Sequence, residues 1–354
     1  MTWLARLGIA QPVLQAPMAG AQDSELAIAV ARAGGLGAIP CAMLTPDALA
    51  QQLSAFRAAT PAAINVNVFC HVSPAPDPAA LARWHAALAP WYQAFALDSA
   101  AIPTGAGRHP FDHAACDVLE AFRPEVVSCH FGLPSPELVA RIKGWGGLLL
   151  ASATTVAEAR WLEAHGADAV IAQGLEAGGH RGHFLSDDLT AQMGTLALLP
   201  QVCQAVEVPV IAAGGIADAS GVSAALALGA SAVQVGTAFL CCPESRASAI
   251  HRRALMSEAA RHTALTNLFS GRPARGIVNR LMRELGPLSE APPAFPLATA
   301  AIAPLRAAAE ARGLGDASPL WAGQNASRCR ALPAGEVVQE LARGAGALTP
   351  LSRP

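Results

Sequence analysis

The segment GLEAGGHRGHF, residues 174–184, combines a carboxylate, an arginine, two histidines and four glycines within eleven positions. A histidine with its ordinary pKa near 6.5 can act as a base or hold a substrate anion at neutral pH. The glycines let the backbone pass close to a flat ligand, so that His180 could point inward. Glu176 and Arg181 are expected to hold the loop as an ion pair, with His183 at its rim. His180 is therefore the candidate catalytic residue if the segment crosses a site.

Eight apolar runs, separated by alanine-rich helical stretches, are the elements that must position this segment. The runs are continuous rather than alternating, which is typical of parallel strands covered on both faces. They span residues 12–20, 36–43, 63–71, 125–134, 147–154, 169–179, 208–216 and 232–240. The helical stretches 23–34 and 45–58 open with an Asp or a Thr suited to N-capping, and Gly34 and Gly166 are suited to end helices. Eight β/α units predict an α/β fold of the (β/α)8 TIM-barrel type, with a doubly wound open sheet as the alternative.

Two regions interrupt the rhythm. Residues 72–124 are longer than one crossover needs and indicate an elaborated third connection. Residues 243–290, after the eighth run, are helical in composition and predict a small helical lobe over the active site. The expected organisation is a barrel over residues 1–242, the lobe over 243–290, and a C-terminal return to the barrel over 291–354.

Composition narrows the class of protein. The chain has 354 residues, of which 53% are hydrophobic and 14% charged, with a formal net charge of -2. These values argue against disorder and against a nucleic-acid partner. We expect no signal peptide and no membrane span, because no uninterrupted apolar run is long enough. The eight cysteines show no CxxC pair and no metal-ligand spacing, so reduced thiols in the cytoplasm and no metal are expected.

The ends of the last two runs predict a phosphate site. Ligands of β/α barrels bind at the C-terminal ends of the strands, and phosphates often lie after strands seven and eight. Gly214 and Gly215 end the seventh run and would let backbone amides approach a phosphate, with the following helix adding its positive end. Gly236 and Thr237, at the end of the eighth run, can supply another amide and a hydroxyl.

Other strand ends supply further candidates. Asn67, near the end of the third run, has an amide that can both donate to and accept from a heteroaromatic ring. The thioether of Met18, after the first run, suits a cofactor ring. His71 and His130 follow the third and fourth runs and are candidate substrate-pocket residues. There is neither a GxSxG motif nor a Ser-His-Asp pattern, which argues against hydrolysis.

The motifs QAPMAG, INVNVFCH, SCHFGLP, GLEAGGHRG, PVIAAGGI, QVGTAF and LWAGQNA, in this order, resemble the nitronate monooxygenases, formerly called 2-nitropropane dioxygenases. The resemblance runs from residue 12 to about residue 326. It implies a barrel with non-covalent FMN and oxidation of alkyl nitronates by O₂ to a carbonyl compound and nitrite. His180 matches the catalytic histidine of that family. The positions that match its FMN-contacting residues are Met18, Asn67, Gln173, Gly178, Gly215, Gln234, Gly236 and Thr237.

Two departures from the family bear on the substrate. Trp321 stands in LWAGQNA where members often have a tyrosine, and the single lysine, Lys143, belongs to an outer helix. The pocket, with Trp321 as a wall, should then favour uncharged alkyl nitronates unless an arginine reaches it.

The expected partners are a small nitronate or nitroalkane and O₂, with the chain a monomer or homodimer. Three alternatives stay open. The first two are an FMN-dependent enoyl-thioester reductase and an NAD(P)H:quinone reductase on the same barrel. The third is a flavin-binding protein without turnover.

Overall fold

Strands account for the predicted apolar runs. The protein, for which a computed structural model was obtained, is described over residues 2–75, 77–98, 102 and 108–346. Strands β1–β6, β8 and β9 lie within the eight predicted runs and are parallel. The strands are β1 Val13–Gln15, β2 Gly37–Pro40, β3 Ile64–Phe69, β4 Val126–His130, β5 Leu148–Ala153, β6 Ala169–Gln173, β7 Gly179–His180, β8 Val210–Ala213, β9 Ala232–Val235, β10 Thr263–Thr266 and β11 Ala274–Ile277.

The parallel sheet closes on itself. Each barrel strand pairs with the next one along the chain, and β9 pairs with β1. Strand β1 also meets β2, because Gln15 N donates to Leu36 O (2.9 Å) and Leu36 N donates to Val13 O (3.0 Å). The predicted (β/α)8 barrel is therefore confirmed, and the open doubly wound sheet is excluded.

Alternation along the strands decides which side chains enter the barrel. Ile171 of β6 lies in the interior cluster, whereas its neighbour Val170 packs outward against the helices. Gln173, two positions after Ile171, is therefore on the inner face at the C-terminal mouth of the barrel. Asn67 of β3 and Gln234 of β9 have the same orientation, since the valines on either side of each pack outward.

The predicted helix ends are confirmed where the sequence identified them. The side chains of Asp23 and Thr45 cap α2 and α3, and Gly34 and Gly166 take positive φ just after α2 and α7. None of the helices in the described part of the chain is both long and apolar enough to cross a bilayer. The helices are α1 Trp3–Arg6, α2 Ser24–Arg32, α3 Pro46–Ala59, α4 Pro78–Ala94, α5 His113–Phe122, α6 Pro136–Gly144, α7 Val156–Ala164, α8 Thr195–Ala205, α9 Ala219–Ala227, α10 Ala249–Leu255, α11 Arg280–Leu285, α12 Thr299–Ala311 and α13 Ala334–Ala342.

The segment 243–290 is mixed rather than helical. It contains α10 and α11, but also the antiparallel hairpin β10–β11, whose second strand pairs with the two-residue β7. In that pairing Ala274 lies opposite His180, and Arg275 lies opposite Gly179. The segment therefore contains strands as well as the expected helices, and each hairpin strand has only four residues. One of them is paired with a distant glycine loop, which local composition does not reveal.

A second hydrophobic core lies beside the barrel core and joins the third connection to the C-terminal half. Trp84 and Leu88 of α4 share this core with Leu281 of α11 and Ile302 of α12. We call α4 together with residues 243–321 the cap layer. The return to the barrel, expected from residue 291, is made by α13, which packs against α2 and α9.

Candidate active site

A cavity of about 260 Å³ lies at the C-terminal ends of the barrel strands. Its walls include the inner-face side chains Asn67, Gln173 and Gln234 on the barrel side and Trp321 on the side of the cap layer. This is the position at which β/α barrels bind their ligands. The cavity therefore lies between the barrel mouth and the cap layer.

Hydrogen bonds hold the backbone of His180 over the end of β6. Its carbonyl oxygen accepts from Gln173 Nε2 (3.0 Å) and from His130 Nε2 (3.1 Å). Gly182 N donates to Gln173 Oε1 at 2.8 Å, so the Gln173 amide holds the loop at two points. Pairing of β7 with β11 fixes the loop from the side of the cap layer. Much of the Gln173 amide is thus used for positioning, although its side chain also lines the cavity.

His130 lines the cavity but supports the loop rather than offering a free base. Its Nε2 donates to the carbonyl oxygen of His180, which leaves Nδ1 to accept from Ser152 Oγ at 3.1 Å. Burial lowers the pKa of His130 to about 3. The imidazole is therefore neutral, and both of its nitrogens form hydrogen bonds. These bonds suit a residue that positions its neighbours.

The side chain of His180 lies among aromatic rings with one polar contact. Its Nε2 is 2.8 Å from Ser270 Oγ. The ring centroids of Phe295 and Trp321 lie 5.3 Å and 5.6 Å from that of the imidazole. In the described ranges, Nδ1 of His180 makes no hydrogen bond, so this nitrogen remains available to a ligand.

The charges around His180 are positive. Burial holds the pKa of His180 well below its ordinary value, and Arg108, His130 and Arg272 lower it further. The free imidazole is consequently neutral at pH 7 and can accept a proton or a hydrogen bond. Because two of these neighbours are guanidinium cations, the surroundings favour a bound anion.

Glu176 and Arg181 both hold the glycine loop, but through separate partners rather than as an ion pair. The Glu176 carboxylate accepts from the backbone N and the Oγ1 of Thr195. The fully buried Arg181 donates to the carbonyl oxygens of Gln173 and Gly174 at 2.7 Å and 2.6 Å. His183 is also buried rather than at the rim. The expectation of an ion pair was wrong. Each side chain instead pairs with backbone groups of the loop and its neighbours: Arg181 donates to carbonyl oxygens, and Glu176 accepts from an amide.

The glycine end of the cavity consists of Gly214, Gly215, Gly236 and Thr237. Within the described residues, the amides of Gly215, Gly236 and Thr237 donate to no protein acceptor. Gly215 has φ +71, a conformation that favours glycine. The start of α9 contributes less than expected, because the Asp218 side chain already caps it. The unpaired amides at the ends of β8 and β9 still fit an anionic group such as a phosphate.

Gly178 lines the cavity and also packs closely against a second backbone segment. A Cβ at this position would lie 2.6 Å from the backbone nitrogen of Gly323. The glycine therefore lets the loop pack against residues 322–323, and Gly323 N in turn donates to Thr237 Oγ1 at 3.0 Å. The loop that holds His180 and the glycine end are thus joined through one backbone segment.

Three further predicted residues line the same cavity. Asn67 Nδ2 donates to the backbone oxygen and the Oγ of Ser128. Gln234 has a buried Oε1 without a hydrogen-bond partner in the described chain. Met18 also lines the cavity, and its Sδ lies 3.6 Å from the point where a Cβ on Gly236 would be. A flat heteroaromatic ligand with N–H and carbonyl groups would meet suitable partners here.

His71 is the predicted site residue that does not reach the cavity. It is buried behind the rings of Phe69, Phe131 and Phe295, the last of which is 4.8 Å away by ring centroids. His71 is not among the residues that line the cavity, and it follows β3, which ends at Phe69. A pocket role for His71 stays a prediction.

Several residues that complete the site were not identified from sequence. Arg108 and Phe69 line the cavity, and Ser270, Phe131 and Phe295 surround His180. Most of them come from the third connection or the cap layer. No periodic pattern in the sequence indicates that these segments pack against the barrel mouth. The one available signal was the length of the third connection.

The cavity, with its neutral histidine and unpaired backbone amides, lies at the C-terminal mouth of the barrel, where β/α-barrel enzymes bind their ligands. The family model for nitronate monooxygenase matches residues 2–344. A nitronate monooxygenase of Paraburkholderia phytofirmans is 44% identical over 96% of this chain and 93% of its own. One from Pseudomonas aeruginosa is 42% identical over 95% of this chain and 96% of its own. The crystal structure of a nitroalkane oxidase from Streptomyces ansochromogenes, 42% identical, covers 98% of this chain and 100% of its own with a TM-score of 0.88.

The chain belongs to the nitronate monooxygenase family and is an oxidoreductase. This agrees with the family resemblance that the sequence motifs indicated.

Proposed function

We propose that the protein oxidises alkyl nitronates with O₂, using FMN, and releases a carbonyl compound and nitrite. The observation that carries the proposal is the neutral His180 in a cavity whose neighbouring charges are guanidinium groups. A nitronate is the anion of a carbon acid, so it needs both a base that can form it and a positive environment that holds it. Family membership supports the same reaction.

The residues present fit FMN. The unpaired amides of Gly215, Gly236 and Thr237 would receive the phosphate. The orphaned Oε1 of Gln234 would accept from a ring N–H, and the amide of Asn67 also faces the ligand space. Bound FMN would supply the electron acceptor for the nitronate and the route for those electrons to O₂.

The role of His180 is to take a proton from the neutral nitroalkane. Ser270 Oγ lies 3.4 Å from the carbonyl oxygen of Arg272, to which it can donate, so its lone pair can accept the Nε2–H of His180. In this tautomer Nδ1 is the free base and takes the proton from the carbon next to the nitro group. The cations around His180 make it a weak base but stabilise the anion that forms. We therefore expect the enzyme to use preformed nitronates more efficiently than neutral nitroalkanes.

Turnover of ethyl nitronate in air tests the proposal. The purified protein should consume O₂ and form nitrite and acetaldehyde in proportion to the nitronate used. Denaturation should release about one FMN per chain. Absence of nitrite from a protein that retains flavin would overturn the proposed reaction. A protein that binds no flavin even on reconstitution would overturn the cofactor assignment.

A further inference from the structure

Arg108 lines the cavity near His180 and has no acidic partner in the described chain. Its Nη1 donates to Thr299 Oγ1 at 2.9 Å, at the start of α12. Its guanidinium carbon lies 6.0 Å from the centroid of the Phe295 ring. Among the described residues, no carboxylate oxygen lies within 4.0 Å of it. The side chain is thus held in place by a hydroxyl and a ring, neither of which neutralises its charge.

A second arginine on the same cavity wall shows the contrast. Arg306 also lines the cavity, but its Nε donates to Glu310 Oε1 at 2.8 Å. Burial, with Arg306 nearby, lowers the pKa of Arg108 to about 10, so its charge is poorly solvated where it stands. A desolvated guanidinium without a partner is costly, and an anionic ligand that reached it would remove much of that cost.

The position of Arg108 suits a group remote from the reacting carbon. The Phe295 ring centroid is 5.3 Å from that of His180 and 6.0 Å from the guanidinium carbon of Arg108. Both groups therefore lie beside the same ring, close enough for one short-chain ligand to reach both. A short chain ending in a carboxylate could extend past Phe295 to the guanidinium.

We propose that Arg108 is a specificity-determining residue that binds a second anionic group, a carboxylate, on the nitronate substrate. This rests on the proposed function. It replaces the expectation of a preference for uncharged nitronates, which held only if no arginine entered the pocket. Arginine binds carboxylates with two parallel N–H donors, so the pairing selects for shape as well as charge.

The test compares propionate 3-nitronate, which has the carboxylate, with ethyl nitronate, which lacks it. Arg108→Met should lower kcat/KM for propionate 3-nitronate about 10- to 100-fold, the loss expected for a hydrogen-bonded charge pair. The loss for ethyl nitronate should be at least about fivefold smaller, because Arg108 acts on it only through its charge at a distance and not through hydrogen bonds. Arg108→Lys keeps the positive charge but not the two parallel N–H donors. Its kcat/KM for propionate 3-nitronate should lie between those of wild type and Arg108→Met.

Arg306→Met is the matched control, since it removes the same charge from the same wall. It should leave the ratio of the two kcat/KM values within about threefold of wild type, because long-range charge effects are screened. An equal loss for both substrates in Arg108→Met would mean that Arg108 holds the nitronate group itself and would overturn the proposal. A similar change of the ratio in Arg306→Met would overturn it too.

A binding measurement separates this proposal from the proposed reaction. The protein's melting temperature should rise with 3-nitropropionate but not with 1-nitropropane, and Arg108→Met should abolish the rise. If the wild type turned over neither nitronate yet showed this shift, the carboxylate site would stand and the proposed function would fail. If Arg108→Met and Arg108→Lys retained the full shift, the carboxylate site would fall.

Discussion

The two ends of the cavity are built in different ways. The glycine end, Gly214, Gly215, Gly236 and Thr237, consists of backbone at the ends of two neighbouring strands. Around His180 the boundary consists of side chains from the third connection and the cap layer: Arg108 and Trp321 line the cavity, and Ser270 and Phe295 lie against the imidazole. The first end could be placed from strand periodicity, because parallel barrel strands all end at one mouth. The second end depends on how distant segments pack, so we expect it to determine substrate choice while the first holds the common ligand.

The largest expected effect concerns the residue between the two ends. His180→Asn should reduce oxidation of neutral nitroethane by about 10²–10⁴-fold, because a general base is removed. Oxidation of preformed ethyl nitronate should fall much less. Steady-state O₂ consumption with both forms of the substrate measures this.

If both forms lost the same factor in His180→Asn, the residue would be orienting substrate rather than moving a proton. Unchanged rates with both would exclude any role for it. Flavin content of the variant serves as the control, since the glycine end does not depend on this side chain.

A pair of neighbouring glycines tests whether the loop is joined to the glycine end. A Cβ on Gly178 would lie 2.6 Å from Gly323 N, whereas one on Gly179 would meet no atom within 4 Å. Gly178→Ala should therefore destabilise the fold by about 1–3 kcal/mol through overpacking and loosen flavin binding. Gly179→Ala, at φ +71, should cost about 1–2 kcal/mol of backbone strain without affecting flavin affinity.

Urea unfolding and the dissociation constant for FMN measure these two effects separately. Similar FMN affinity in both alanine variants would show that residues 322–323 do not connect the loop with the phosphate site.

The dependence of stability on pH should reflect the buried imidazoles. Each has a pKa below its value in the unfolded chain: burial lowers it to about 4 in His71, about 3 in His130, about 4 in His183 and about 4 in His251, and well below 6.5 in His180. Because the unfolded chain binds more protons in acid, their contribution is complete above about pH 6.5 and is lost as the pH falls towards 4.

His130→Gln should reduce the slope of unfolding free energy against pH by at most about 1.4 kcal/mol per pH unit between pH 6 and 4. Chemical denaturation at several pH values gives that slope. His262→Gln, on the exposed surface, is the control for the effect of the substitution itself on unfolding. An unchanged slope in His130→Gln would mean that His130 is charged in the folded protein.

The difference between the two ends of the cavity also explains how much of the site could be predicted from the sequence. Asn67 was proposed from its place at a strand end, which is a local property, whereas Gln173 and Gln234 were named through the family resemblance. The position of His71 relative to the cavity could not be predicted, because sequence does not fix the end of a strand, here Phe69, to one residue. Arg108 and Phe295 were not predicted because they are 187 positions apart in the sequence. In the structure the guanidinium carbon lies 6.0 Å from the ring centroid. Packing of the cap layer, not a local pattern, brings them together.

The smallest expected effect is at Trp321, whose indole lines the cavity. Its ring packs at 5.5 Å from Phe269 and 5.6 Å from His180 by centroids. Trp321→Tyr adds a hydroxyl that can accept as well as donate, so kcat/KM should shift a few-fold toward polar nitronates. The ratio of kcat/KM for propionate 3-nitronate to that for ethyl nitronate at pH 7.5 reports the shift. A larger change than in Arg108→Met would mean that Trp321, not Arg108, sets specificity.

The central claim is that the neutral histidine and its positive surroundings serve nitronate oxidation rather than reduction by a nicotinamide. Anaerobic mixing of the yellow protein with ethyl nitronate and, in parallel, with NADH or NADPH tests it most directly. Ethyl nitronate should bleach the flavin absorbance within the time of a turnover, whereas NADH and NADPH should leave the flavin oxidised. Rapid bleaching by NADH or NADPH with no response to nitronate would contradict the account and favour an enoyl-thioester or quinone reductase on the same barrel.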